Sequence, residues 1–158
     1  MKLAMNGALT MATLDGANIE MLEKVGRENM YIFGLTAQEI AERQVLGFLP
    51  REIYDADPRI RRVIDVLSSD RFSSTEFGLF RWVYETLVYR DRYFHLADLP
   101  SYIETHESAQ RDFSDADNWS RRAMLNVARM GKFSSDRTIR EYATEIWRLA
   151  DERQTAAV

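Results

Sequence analysis

Leu9-Thr10-Met11-Ala12-Thr13-Leu14-Asp15-Gly16, followed by Ile19, Leu22, Val25 and Gly26 and then by Met30-Tyr31-Ile32-Phe33-Gly34, is the stretch that decides the fold. Residues 9–13 form a compact apolar run closed by an Asp-Gly pair, a dipeptide that marks a turn. Ile19, Leu22 and Val25 recur at the spacing of one helical face, and Gly26 is placed to end that helix. Met30-Tyr31-Ile32-Phe33 is apolar and aromatic without alternation, the pattern of a buried strand. Strand, helix and strand in this order predict the edge of a parallel α/β sheet over residues 1–35.

Residues 36–158 read as almost wholly helical, so the chain is expected to be one α/β unit that is mostly helix. Thr36 and Glu39 have the spacing of a capping box, and Asp57 before Pro58 places an N-cap ahead of a first-turn proline. Ile60, Val63, Ile64 and Leu67 repeat as one buried face. Phe80, Val83, Tyr84, Leu87 and Val88 do the same. Two further helices are expected over residues 98–113 and 115–130, the second stopped by Gly131. A last helix, capped by Ser134-Ser135-Asp136, is expected to bury Ile139, Tyr142, Ala143, Ile146 and Trp147, with a frayed tail after Asp151. The helices from residue 57 onward are expected to share a core of their own. The first 35 residues would then depend on sheet neighbours.

The 158 residues have a net charge of −4, with 46% hydrophobic and 29% charged residues, an ordinary globular balance. An acidic chain lacks the basic surface that a nucleic-acid backbone requires. Without cysteine there is no disulfide, thiolate or cysteine–zinc chemistry. The two histidines, His95 and His106, lack metal-ligand spacing, so no metal site is expected, and His95 reads as a half-buried element edge. No apolar run approaches the roughly 20 residues of a membrane helix. Nothing at the N-terminus has the form of a signal peptide, and the expected compartment is the cytoplasm.

Several residues have plain structural readings. Asn6, Gly7, Asp15, Gly16 and Asn18 fit turn and cap chemistry, and no Gly-Lys-Ser/Thr follows the glycines to make a phosphate loop. The pairs Arg61-Arg62 and Arg121-Arg122 are expected on solvated faces. Trp82, Trp119 and Trp147 are expected as core or interface anchors. Lys2, on position alone, is a solvated terminal charge.

Three blocks change the reading of Lys2. They are Met1-Lys2-Leu3-Ala4-Met5-Asn6-Gly7-Ala8-Leu9-Thr10 with Thr13-Leu14-Asp15-Gly16-Ala17-Asn18-Ile19-Glu20, then Asn29-Met30-Tyr31-Ile32-Phe33-Gly34-Leu35-Thr36, then Gly131-Lys132-Phe133-Ser134-Ser135-Asp136-Arg137-Thr138-Ile139 with Tyr142 and Ile146-Trp147. Together, and in this order, they resemble the α-glucan (glycogen, starch or maltodextrin) phosphorylases.

The resemblance implies that Lys2 is the residue that holds pyridoxal 5′-phosphate as a Schiff base. It implies the C-terminal part of the second Rossmann-like domain of a GT-B fold, with residues 1–35 as a sheet edge and 36–158 helical. It implies phosphorolysis of α-1,4-glucan by inorganic phosphate to α-D-glucose 1-phosphate, in an enzyme that is typically a homodimer. The family's glucosyl- and phosphate-binding loop precedes the lysine, so the chain reads as a C-terminal piece, with no catalytic residue of its own and no expected activity alone. The alternative is a stand-alone helical binding or structural module that has lost catalysis.

Overall fold

The computed structural model describes residues 1–149, and the tail expected to fray after Asp151 lies outside them. The strand–helix–strand reading is found. β1 (Thr10–Thr13) and β2 (Met30–Phe33) pair in parallel, Thr10 opposite Met30 and Thr13 opposite Phe33. Between them runs α2 (Gly16–Val25). The turn into α2 is built by side chains: the Thr13 hydroxyl donates to Asp15 Oδ2 at 2.9 Å, and Asn18 Nδ2 donates to the Thr13 carbonyl at 3.1 Å. A parallel pair needs such a crossover, because two adjacent parallel strands cannot be joined by a tight hairpin.

The buried face of α2 keeps Val25 and half-buried Leu22 of the expected one and takes Met21 in place of Ile19. Met21 and Val25 are buried, whereas Ile19 is 45% exposed. Those two positions, one turn apart, join Ala4, Met30 and Met130 in one buried cluster.

The rest of the described chain is helical: α3 (Ala37–Leu46), α4 (Pro50–Ala56), α5 (Pro58–Ser68), α6 (Arg81–Arg90), α7 (His95–Phe113), α8 (Ala116–Arg129) and α9 (Ser135–Glu141), preceded at the N-terminus by the short α1 (Lys2–Met5). Two of the three expected N-caps, Thr36 and Asp57, make their side-chain bonds. The Thr36 hydroxyl accepts from Glu39 N while the Glu39 carboxylate accepts in return from Thr36 N, and Asp57 accepts from Arg59 N at 2.8 Å.

α7 begins three residues earlier than expected and holds Pro100 inside it. The reason is Asp91, a buried carboxylate that accepts from His95 N at 3.0 Å and Leu96 N at 2.7 Å. It satisfies free N–H groups of the first turn and starts the helix ahead of the proline. His95, expected at a half-buried edge, is exposed at that first helical position.

α8 ends at Arg129, and the chain tightens into a 3₁₀ corner, Met130–Phe133, so Gly131 lies within the corner and is not the stop. α9 is followed by a π-helical turn, Tyr142–Ile146. Ser134 occupies the N-cap position of α9 without a side-chain cap bond.

Two hydrophobic clusters form, and they divide the chain differently from the sequence reading. One joins Ala4, Met21, Val25, Met30 and Met130; the other joins Tyr54, Ile60, Ile64, Val88 and Leu96. The helices beyond residue 57 therefore do not share one core of their own, since Met130 belongs with the N-terminal elements. Val63, expected in the α5 face, is 55% exposed. Ile139, Tyr142, Ile146 and Trp147 were expected to be buried, but they are 46% to 61% exposed.

Arg122 is a correction of another kind. It is buried, not solvated: its Nη1 donates to Tyr31 Oη at 2.5 Å and pairs with Asp112 at 3.0 Å. Trp119 anchors beside it, stacked on Tyr31 and edge-on to Phe113, while Trp82 and Trp147 stand exposed.

Candidate functional site

Lys2 is the first residue of α1, a helix of only four residues. Such a helix has no stability of its own, so its termini and its contacts must hold it. The C-terminal end is closed by a Schellman arrangement. Ala8 N donates to Leu3 O and Gly7 N to Ala4 O, each at 3.0 Å, with Gly7 at φ +89. That left-handed backbone is the reason glycine is needed there. Asn6 Nδ2 also donates to the Lys2 carbonyl at 2.8 Å, tying the side chain of the cap to the backbone of the lysine. The expected turn-and-cap reading of Asn6 and Gly7 is therefore found.

On its inner side α1 buries Ala4 in the first cluster, with Met5 half-buried beside it. Lys2 is exposed, and among the described residues no carboxylate pairs with it. A Schiff base forms on a primary amine that an aldehyde can reach, and Lys2 offers such an amine to the aldehyde end of pyridoxal phosphate.

A separate cleft of about 510 Å³ opens at the carboxyl ends of β1 and β2. Thr13 and Asp15 line it from the sheet, and Tyr93, His95, Asp98 and Tyr102 from the helical side. This is where an open parallel sheet offers a crevice to ligands. Asp98 is engaged in structure, accepting from Leu35 N at 2.7 Å, and Ser101 Oγ accepts from Gly34 N at 3.1 Å. Lys2 does not line this cleft.

The polar stripe of α8 was not foreseen. Arg122, Asn126 and Met130 fall one turn apart on one face, and Asn126 Nδ2 donates to the Asn29 carbonyl at 3.3 Å. Burial, reinforced by its bond to Asp112, pushes the Tyr31 hydroxyl above the usual tyrosine range, although Arg122 acts against this. The signal was present as a helical period, but two of its three members are polar and so read as solvent-facing. Among the described residues no group of His, Cys, Asp and Glu could hold a metal ion, and no helix is long and apolar enough to cross a membrane.

Known proteins match this chain through its whole described length. The sequence model of the carbohydrate phosphorylases matches residues 1–149. A glycogen phosphorylase of Synechocystis sp. is 48% identical over 147 residues, which cover 93% of this chain and 17% of that protein. One from Chlamydia pneumoniae is 46% identical over 148 residues, covering 93% and 18%. The muscle form of Homo sapiens is 42% identical over 154 residues, covering 98% and 18%. The chain thus spans less than a fifth of the length of the curated relatives it matches. A match that runs from the lysine helix through both clusters to the last described helix places this chain in the carbohydrate phosphorylase family.

Proposed function

We propose that this chain supplies the cofactor lysine, and the end of the second Rossmann-like domain, of a cytoplasmic GT-B α-1,4-glucan phosphorylase that works as a homodimer. The reaction is attack of inorganic phosphate on the terminal α-1,4-glucosyl unit, releasing α-D-glucose 1-phosphate. The observation that carries the reading is the family match over residues 1–149, with Lys2 exposed at the head of a helix whose backbone is held by its own cap. The parallel β1–α2–β2 unit is compatible with a Rossmann-type edge.

Lys2 would hold pyridoxal 5′-phosphate through its ε-amine. When bound, the cofactor supplies a phosphate that exchanges protons with the substrate phosphate. The chain's own residues orient: Asn6 fixes the Lys2 carbonyl, and Ala4 fixes the helix against the core. The uncovered side chains of Ile139, Tyr142, Ile146 and Trp147 favour a chain that works docked on further protein surface over a stand-alone module.

A chimera tests this. The matching segment of the Synechocystis glycogen phosphorylase is replaced by this chain, and glucose 1-phosphate release from maltoheptaose and phosphate is measured. The chimera is expected to be active, and Lys2→Ala to abolish both bound-cofactor absorbance and activity. A soluble, folded chimera without phosphorolysis overturns the proposal.

A further inference from the structure

The helix that carries Lys2 is held by the other end of the chain. Its single buried residue is Ala4, 2% exposed, and the cluster around Ala4 includes Met130, 1% exposed. Met130 opens the 3₁₀ corner Met130–Phe133, and Phe133 packs half-buried on the same cluster as Met5. A Cβ placed on Gly7 would meet Ala123 at 3.7 Å and Val127 at 3.9 Å, so the cap of α1 also lies directly against α8. The corner begins the Gly131-Lys132-Phe133-Ser134-Ser135-Asp136 run, which the reading of the lysine leaves without a role.

We infer that the Met130–Phe133 corner is the seat of the lysine helix, and that Met130 is a positioning residue for cofactor attachment at Lys2, acting through Ala4. This rests on the reading of Lys2 proposed above. A four-residue helix cannot set its own place, so any shift at Ala4 is carried to Lys2, half a turn away. Interiors are close-packed and transmit such shifts. The shape of the corner suits it to this role. Met130 is buried while Gly131 and Lys132 remain exposed, so the 3₁₀ turn drives one side chain under α1 without burying its neighbours.

Two measurements test it, on Met130→Ala, Met130→Leu and the milder Phe133→Ala, which keeps the test open should Met130→Ala fail to fold. In the 158-residue chain, hydrogen exchange is read at the amides of Met5, Asn6, Gly7 and Ala8, all bonded within the lysine helix and its cap. Met130→Ala is expected to speed them about tenfold or more, with amides of α5 and α6 unchanged. In the chimera, pyridoxal phosphate retention and borohydride-trapped label at Lys2 are read. Met130→Ala is expected to weaken retention on the order of tenfold, Met130→Leu to restore it, and Phe133→Ala to fall between.

Unchanged exchange in the lysine helix of Met130→Ala overturns the inference. So does a variant whose helix exchanges fast while its cofactor is held as in the unaltered chimera. If the unaltered chimera traps no label at Lys2, the reading of Lys2 falls, and this inference falls with it. Label that is present but indifferent to Met130 removes this inference alone.

Discussion

Arg122 Nη1 on α8 donates to the Tyr31 hydroxyl oxygen on β2 at 2.5 Å, joining positions 91 residues apart. The same guanidinium lies 4.5 Å from the centre of the Tyr31 ring and pairs with Asp112, so one cation locks the sheet to two helices. Asp112 is 38% exposed at its side chain, which moderates the electrostatic part of the lock. Arg122→Ala is expected to destabilise the chain by about 2 kcal/mol, chiefly through unpaired partners and lost packing. Urea unfolding followed by circular dichroism measures it, and a change within about 0.5 kcal/mol would contradict the role given to Arg122.

Alkaline titration is expected to find two late-ionising tyrosines, Tyr31 and Tyr54. Burial raises Tyr31, and the bond its hydroxyl donates to Asp65 raises Tyr54. The sign follows from linkage. A raised folded value means stability that is whole below the unfolded value near ~10 and is lost as pH climbs toward the folded value. Absorbance at alkaline pH should show two late ionisations in the native chain that are lost on unfolding. Tyr31→Phe and Tyr54→Phe should each remove one late step.

At the opposite end of the scale stands Asp57. The Arg59 guanidinium, and then the Arg59 backbone N–H, hold its carboxyl down at about 2 against an ordinary 3.8. A depressed value contributes stability that is present above the ordinary value and lost as pH falls toward the folded one. Thermal melts between about pH 4 and pH 2 should therefore steepen in the native chain and be flatter in Asp57→Ala. Equal slopes for the two chains would show that the cap bond is not made in solution.

Gly34 marks where the second strand meets α7. Its φ is +80, and a Cβ there would lie 2.8 Å from Asp98 Cγ, the carboxyl that receives Leu35 N. Gly16 also has positive φ, at +45, but its missing Cβ faces open space. Gly34→Ala should cost more than about 2 kcal/mol and Gly16→Ala about 1 kcal/mol, the difference being displacement of Asp98. Denaturant midpoints for the pair decide it; equal losses would leave only backbone strain.

Pyridoxal phosphate added to the 158-residue chain alone should label Lys2 no more readily than Lys24 or Lys132, since all three lysines are exposed. The chain alone should release no glucose 1-phosphate, because positioning and electrostatic groups are each worth several kcal/mol, about 7 in favourable cases. Borohydride trapping and peptide mapping read the first expectation, and a coupled sugar-phosphate assay reads the second. Stoichiometric label on Lys2 alone would sink the first, and sugar phosphate released by the chain alone the second.

The parts legible in the sequence are those governed by neighbours in the chain. An apolar run, an Asp-Gly turn and a Met-Tyr-Ile-Phe run announced β1, α2 and β2, and Thr36, Glu39 and Asp57 declared their caps. What stayed hidden was governed by distance. Nothing near Met130 in the chain says that it lies under Ala4, and nothing near Arg122 says that Tyr31 and Asp112 will meet it. The early start of α7 was hidden because the carboxylate that caps it, Asp91, lies outside the helix. At the candidate site, resemblance pointed to Lys2 and to no geometry. The Asn6 bond to the Lys2 carbonyl and the seat beneath Ala4 belong to the fold.

The cluster that unites Ala4 with Met130 also sets an order of events in time. During synthesis the lysine helix, both strands and α2 leave the ribosome ahead of α8, yet their apolar faces gain a lid only when α8 and its corner emerge. At about 5–20 residues per second the roughly 100 intervening residues impose a wait of about 5–20 s. Through that interval a parallel strand pair with non-local contacts, slow to close in any case, presents open edges and methionine-rich surface. The nascent chain is therefore a natural client for chaperones until residue 130 is out, and a truncation before α8 should yield a product that is cleared or aggregates, not one that folds in part.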